Sequence, residues 1–186
     1  SHPIFVNLYG KVCGFTGTIG KVEDRNIYKK EYRLQIKKVP RNQPDKRVQL
    51  PMILCINDDD KEMKIVSEIL EFHKKENPVL AIFQDLNEIK KIKSILEQKK
   101  VGPIYIFDGH NINISAETIA GKKSAISLGT NVCGRGTDIK IEDEKKPLHV
   151  IISYYTSNSR VIKQAYGRTA RQGQKGTSRI ICLRKQ

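Results

Sequence analysis

Short runs of β-branched and other apolar residues alternate along this chain with stretches of helical period, a pattern that predicts a mostly parallel sheet with helices on both faces. Met52 to Ile56 reads as a strand, and Asp58-Asp59-Asp60 then offers an N-cap to a helix with Met63, Val66, Ile69, Leu70 and His73 at helical spacing. Asn77-Pro78 stops that helix, and Val79 to Phe83 is a buried-type strand. Asp85 to Lys100 follows as an amphipathic helix with Leu86, Ile89, Ile92, Ile95 and Leu96 inward, ended by Gly102-Pro103. Further strands are predicted at Ile104 to Phe107, Ser124 to Leu128, Leu148 to Ser153 and Ser178 to Leu183. Helices are predicted at Ser115 to Gly121 and Ser157 to Tyr166, and the class is α/β. Residues 21 to 38 are basic and only weakly periodic, Pro40, Pro44 and Pro51 mark turns, and the first 20 residues do not fit the alternation.

Composition narrows the class of protein. A chain of 186 residues buries a proper core, so it needs no metal or disulfide to fold. No apolar run approaches the roughly 20 residues that span a bilayer. Lysine and arginine number 34 against 20 acids, a net charge of +14 that suits an anionic partner: nucleotide phosphate, RNA, DNA or acidic lipid. Most of the lysines fall on predicted helix or loop faces, where a solvated surface is the default. Cys13, Cys55, Cys133 and Cys182 are scattered, with no C-x-x-C and no histidine at zinc spacing, which reads as reduced thiols in an intracellular protein without a structural metal. The start shows no signal peptide, and the absence of an initiator methionine suggests a piece of a longer chain.

Nucleotide-hydrolysing domains carry G-x-x-x-x-G-K-[ST], because backbone N–H groups must wrap a phosphate that a lysine reaches. Here the nearest approach is Gly20-Lys21, with Phe15 at the required glycine and Val22 at the required hydroxyl. The acids after Met52 to Ile56 read better as a helix cap than as Mg²⁺ ligands. His2, His73, His110 and His149 form no catalytic arrangement with a serine or cysteine. Two segments do carry chemistry. Gly129 to Ile139 follows a strand, where open α/β sheets bind ligands; Gly134 and Gly136 permit close backbone approach, Arg135 is a bidentate donor, and Asp138 can accept from a ribose hydroxyl or hold an arginine. Gln164 to Gly173 ends a helix in a glycine-arginine turn, and Arg168 and Arg171, three apart, can both face one anion. Standing alone, the first reads equally as a tight surface turn; the second has a lesser bland reading as a basic exposed turn.

Together these segments resemble motifs V and VI of the second RecA-like domain of superfamily 2 helicases, and within that set they are most similar to the SecA preprotein translocase family. The family pattern A-T-N-M-A-G-R-G-T-D-I resembles Gly129 to Ile139, and Q-L-R-G-R-S-G-R-Q-G resembles Gln164 to Gly173, with Ala170 in place of the family's second glycine. Leu8 to Thr18 is similar to L-Y-x-K-L-x-G-M-T-G-T, and Val39 to Pro44 to V-P-T-N-R-P. The likeness runs from about Phe5 to Leu183, whereas Tyr154 to Lys163 departs from the family's E-R-H-E-S-R-R-I-D-N.

The resemblance implies a RecA-like, three-layer αβα sandwich with a mostly parallel central sheet. It implies that residues 1–20, with Thr16, Gly17 and Thr18 in a coupling role, leave a first motor domain, and that residues 21–186 form the second. ATP with Mg²⁺ would then bind between the two, the Mg²⁺ ligands and phosphate loop lying in the first. Arg168 and Arg171 would serve as catalytic arginines, and Gly134, Arg135, Gly136, Asp138 and Gln164 as nucleotide contacts. This stretch alone is expected to be inactive. The partners implied are the first motor domain, an unfolded preprotein and a membrane channel, in a cytoplasmic protein peripheral at a membrane. The alternative is the C-terminal domain of a nucleic-acid helicase, with nucleic acid or acidic lipid meeting the positive charge.

Overall fold

The structure, a computed structural model, describes residues 2–107, 119–130 and 139–184. An N-terminal arm carries two short helices, α1 (His2–Val6) and α2 (Val22–Lys30). Seven strands follow among the described residues: β1 (Lys46–Gln49), β2 (Ile53–Cys55), β3 (Val79–Phe83), β4 (Ile104–Phe107), β5 (Ile126–Thr130), β6 (His149–Ile152) and β7 (Lys175–Leu183). Between them lie α3 (Asp58–Lys74), α4 (Leu86–Gln98) and α5 (Ser159–Tyr166). The helix predicted over Ser115 to Gly121 falls mostly outside the described residues.

All strand pairs are parallel, in the order β1-β7-β6-β3-β5-β4. The edge beside β7 is shared: β1 pairs with its first residues and β2 with its last. Leu50 N still donates to Ser178 O at 2.8 Å, but Pro51 has no N–H, and the edge strand breaks there. Strand periodicity of two divides the core between the faces. Val79, Ala81, Phe83, Ile126, Leu128, Ile151 and Ile181 pack with Ile65, Val66 and Ile69 of α3 and Ile89, Ile92 and Leu96 of α4. Leu80, Ile82, Val150, Ile152, Ile180 and Cys182 pack with Ile162 and Ala165 of α5. The result is the predicted αβα sandwich.

Local chemistry sets several boundaries differently from the sequence pattern. The cap of α3 is Asn57, whose side chain accepts from Asp60 N at 2.8 Å, while Asp60 Oδ2 accepts from Ile56 N; the three aspartates form the first turn, facing the positive end of the dipole. Met63 is 65% exposed, because Ile65 takes the inward position. Strand β5 runs two residues further than predicted, so Gly129 and Thr130 pair with Ile82 and Phe83 instead of opening a loop. Strand β7 begins at Lys175, and its extra length recruits β1, whose sequence Lys-Arg-Val-Gln has no apolar signature.

Two polar clusters lie inside this frame. At the carboxyl end, Lys61 on α3 is buried and paired with Glu88 on α4, whose other oxygen accepts from Ser153 Oγ at 2.9 Å and Gln84 N at 3.2 Å. Burial alone would depress Lys61, but Glu88 and Asp58 hold it charged, above its ordinary value. Toward the amino end, His149 is fully buried, its ring stacked on Phe72 and its Nδ1 2.8 Å from Thr177 Oγ1. Glu68 Oε1 lies 3.1 Å from both His149 Nε2 and Arg179 Nε.

Burial is the main cause that lowers His149 below its ordinary value, aided by Arg179 and opposed by Glu68 and Glu71. The unfolded chain therefore binds a proton here, near pH 6.5, before the folded one does, and stability falls as pH drops through that region. The thermal midpoint should decline between pH 7.5 and 5.5, and His149→Gln should flatten the decline. An equal slope in the variant would contradict a buried neutral imidazole as its source.

Candidate functional site

Helix α5 starts beyond the carboxyl end of β6, where the Asn158 side chain accepts from Arg160 N at 3.1 Å. Its eight residues rise about 12 Å, close to the roughly 13 Å height of four-residue β6. The helix thus returns the chain to the amino edge of the sheet. Gly167 caps it there, and residues 168 to 173 turn into β7. Arg168 and Arg171 are both half-buried in this one turn, which is where the sequence placed a paired-arginine anion site.

The turn has an unusual backbone. Ala170, Gln172 and Gly173 adopt positive φ (55°, 52° and 78°), a region that costs a residue with a Cβ about 1–2 kcal/mol. Surrounding contacts hold it. Thr169 is buried and its hydroxyl donates to Leu148 O at 2.7 Å, just before β6. Arg171 Nε donates to Gly167 O at 2.8 Å, across the end of α5. A Cβ on Gly176 would come within 2.0 Å of Thr169 Oγ1 and 2.7 Å of Ala170 N, so glycine there admits the turn against β7.

The N-terminal arm reaches the same place. Gln164 Nε2 lies 3.5 Å from Thr18 Oγ1, and Arg160 Nη1 donates to Tyr28 Oη at 3.1 Å, so the arm clasps α5 at two points. Of the three threonine-glycine-threonine residues, Thr18 is the one brought to the site; Thr16 and Gly17 are exposed, with Thr16 Oγ1 accepting from Thr18 N. Strand β1 and the segment before it also contribute. Gln43 lies where a Cβ on Gly173 would point, and Arg47 Nη2 donates to Thr169 O at 3.4 Å. Sequence reading missed Arg47, because one cation among 34 in a run without apolar alternation carries no local signal.

Gly134, Arg135, Gly136 and Asp138 lie outside the described residues. Their flanks are placed: Thr130 ends β5, and Ile139 packs against the core cluster that seats α5. The crevice between the carboxyl ends of β3 and β6, where connections leave in opposite directions and open α/β sheets bind ligands, holds the chain's own Lys61, Glu88 and Ser153. Among the described residues no three histidine, cysteine or acidic side chains group to hold a metal, and no helix is long and apolar enough to cross a membrane.

Residues 45–150 match the family described as the SecA P-loop domain. This chain belongs to that family. It is 32% identical over 186 residues to the protein translocase subunit SecA of Halothermothrix orenii, covering 97% of this chain and 22% of that protein. It is 31% identical over 182 residues to protein translocase subunit SecA 2 of Bacillus thuringiensis subsp. konkukian, covering 95% and 23%. The chain therefore spans about a fifth of the relatives it matches. The fold is RecA-like: a crystal structure of the Escherichia coli DEAD-box protein SrmB bound to RraA aligns with a TM-score of 0.55 at 18% identity, covering 77% of this chain and 79% of that one. The SecA family assignment makes this a nucleotide-binding type of domain, although the chain itself carries no G-x-x-x-x-G-K-[ST].

The packing around the arginine turn can be tested on stability. Gly176→Ala should cost about 1–3 kcal/mol in urea unfolding, the range for overpacking against backbone. At Ala170, glycine should be tolerated, whereas Ala170→Val should destabilise by about 1–3 kcal/mol, the price of a strained backbone position. Equal effects of glycine and valine would argue against the left-handed conformation.

Proposed function

We propose that this chain is the second motor half of a SecA-type ATP-driven translocase, presenting Arg168 and Arg171 to phosphates that a first motor domain holds. The observation that carries the reading is the arginine turn at the sheet's amino edge, with Thr18 of the N-terminal arm against Gln164. Residues 1–20 leave the first motor domain and residues 21–186 form the second. Guanidinium groups are donors only and always charged, so this site suits polyphosphate and does not suit Mg²⁺, whose oxygen ligands then belong to the partner domain.

ATP, when bound, supplies the phosphoryl group whose transfer to water drives the cycle. Arg171 stabilises charge that builds on that group, and Arg168 orients the phosphates beside it. Gln164 senses the arm through Thr18, which couples closure of the cleft to the threonine-glycine-threonine element. Gly134, Arg135, Gly136 and Asp138 are the further nucleotide contacts that the family pattern implies. Alone, the chain turns over no ATP. Opening and closing of the cleft moves an unfolded preprotein through a membrane channel. A charge of +14 favours a second reading, a nucleic-acid motor.

Supplied with the first motor domain, covalently or in trans, the chain should hydrolyse ATP. Arg171→Ala should lower kcat by about 10³-fold or more, the usual arginine-finger effect, with nucleotide Kd within about threefold. Unchanged turnover in the variant would remove Arg171 from the mechanism. Stimulation by unfolded polypeptide supports translocation; stimulation by RNA that fades steeply with salt supports the nucleic-acid motor instead.

A further inference from the structure

Arg47, on edge strand β1, is an unusual residue for its position. Its side chain is only 15% exposed, yet among the described residues its buried Nε has no hydrogen-bond partner. Its nearest carboxylate, Asp45, lies 4.0 Å from Nη2 and is already engaged: Asp45 Oδ1 accepts from Arg47 N at 3.1 Å, and Oδ2 pairs with Arg41 Nη1 at 2.6 Å. Among the described residues its directed side-chain bond is Nη2 to Thr169 O, at 3.4 Å. Burial, and after it the charges of Arg41 and Arg171, work to lower Arg47 below its ordinary value against the pull of Asp45. Such a guanidinium contributes little to stability, since a buried donor left without an acceptor is a net cost.

What Arg47 touches is more telling. Thr169 stands between Arg168 and Arg171, immediately before the three positive-φ residues of the turn. Strand pairing sets Arg47 opposite Gly176, the position whose lack of a side chain admits Thr169 and Ala170. The Thr169 hydroxyl is anchored from one side on Leu148 O, and its carbonyl from the other by Arg47. Arg171, two residues on in the same turn, donates from Nε to Gly167 O at 2.8 Å.

We infer that Arg47 is a positioning residue for Arg171: through its bond to the Thr169 carbonyl it holds the turn that presents Arg171. The inference rests on the proposed role of Arg171 and adds to it a residue outside the arginine turn. The variant to make is Arg47→Met, of similar length but with neither charge nor donor.

In the two-domain protein, Arg47→Met should lower kcat about tenfold or more with KM within threefold, and Arg47→Lys, which keeps charge and one donor, should restore most of it. In the chain itself, the thermal midpoint should move little, while the Arg171 Nε–H resonance shifts or broadens in the methionine variant and returns in the lysine one. A kcat or a resonance unmoved by Arg47→Met overturns the inference, as does failure of lysine to rescue. Should methionine unfold the chain, the lysine variant decides: wild-type kcat and resonance support positioning, and loss of either sinks it. Arg171→Ala run alongside separates the two ideas. Turnover that falls with Arg171→Ala but not with Arg47→Met removes only Arg47, whereas turnover indifferent to both removes the arginine site itself.

Discussion

A sheet whose strands all run the same way obliges each connection to travel back the full height of the sheet before the next strand can begin. In this chain that constraint places the chemistry. Helix α5 has just enough residues to climb down one face of β6, so its capping glycine and the arginines after it arrive at the amino edge. A helix one turn shorter would leave the turn in mid-face, without access to Leu148 and the start of β7. Burial of Ile162 and Ala165 against Val150 and Ile152 holds it in register.

The same constraint explains how the two faces differ. Helices α3 and α4 cover one with long aliphatic side chains, and their two buried polar clusters sit at opposite ends of it. Lys61 and Glu88 tie the two helices to Ser153 at the carboxyl end, in the crevice that many open sheets leave for a ligand. Glu68 joins His149 and Arg179 nearer the amino end, linking α3 to β6 and β7. Buried charges of this kind are expensive to form and expensive to break. They tie α3 to α4 and to the sheet on one face, while the opposite face carries α5, the arm and the turn.

Strain is concentrated in that turn. Positive φ at Ala170 and Gln172 is tolerated because Thr169 and Gly176 flank it and Gln43 and Arg47, from a stretch more than 120 residues earlier in the chain, pack against it. Strained backbone that is over-determined by its surroundings is a common mark of a site whose geometry matters more than its stability. The departure from the family's glycine at Ala170 is thus accommodated by tertiary support.

By itself the sequence determined the class, the order of elements and the two-faced core, because periods of two and 3.6 report directly which side of an element meets apolar neighbours. It also marked Arg168 and Arg171, since glycines beside arginines in a helix-ending turn form a local pattern, whereas Gln164 came only from the family resemblance. The residues that complete the site were another matter. Strand β1 became a strand only because β7 extended far enough to pair with it, and pairing of edge backbone leaves no trace in Lys-Arg-Val-Gln. Thr18 met Gln164, 146 residues away, and Arg47 met Thr169, 122 away. Such contacts are chosen by the path of the chain across the sheet, so only the tertiary structure could decide that a short basic edge strand and an N-terminal arm meet a turn carrying two arginines near the other end of the sequence.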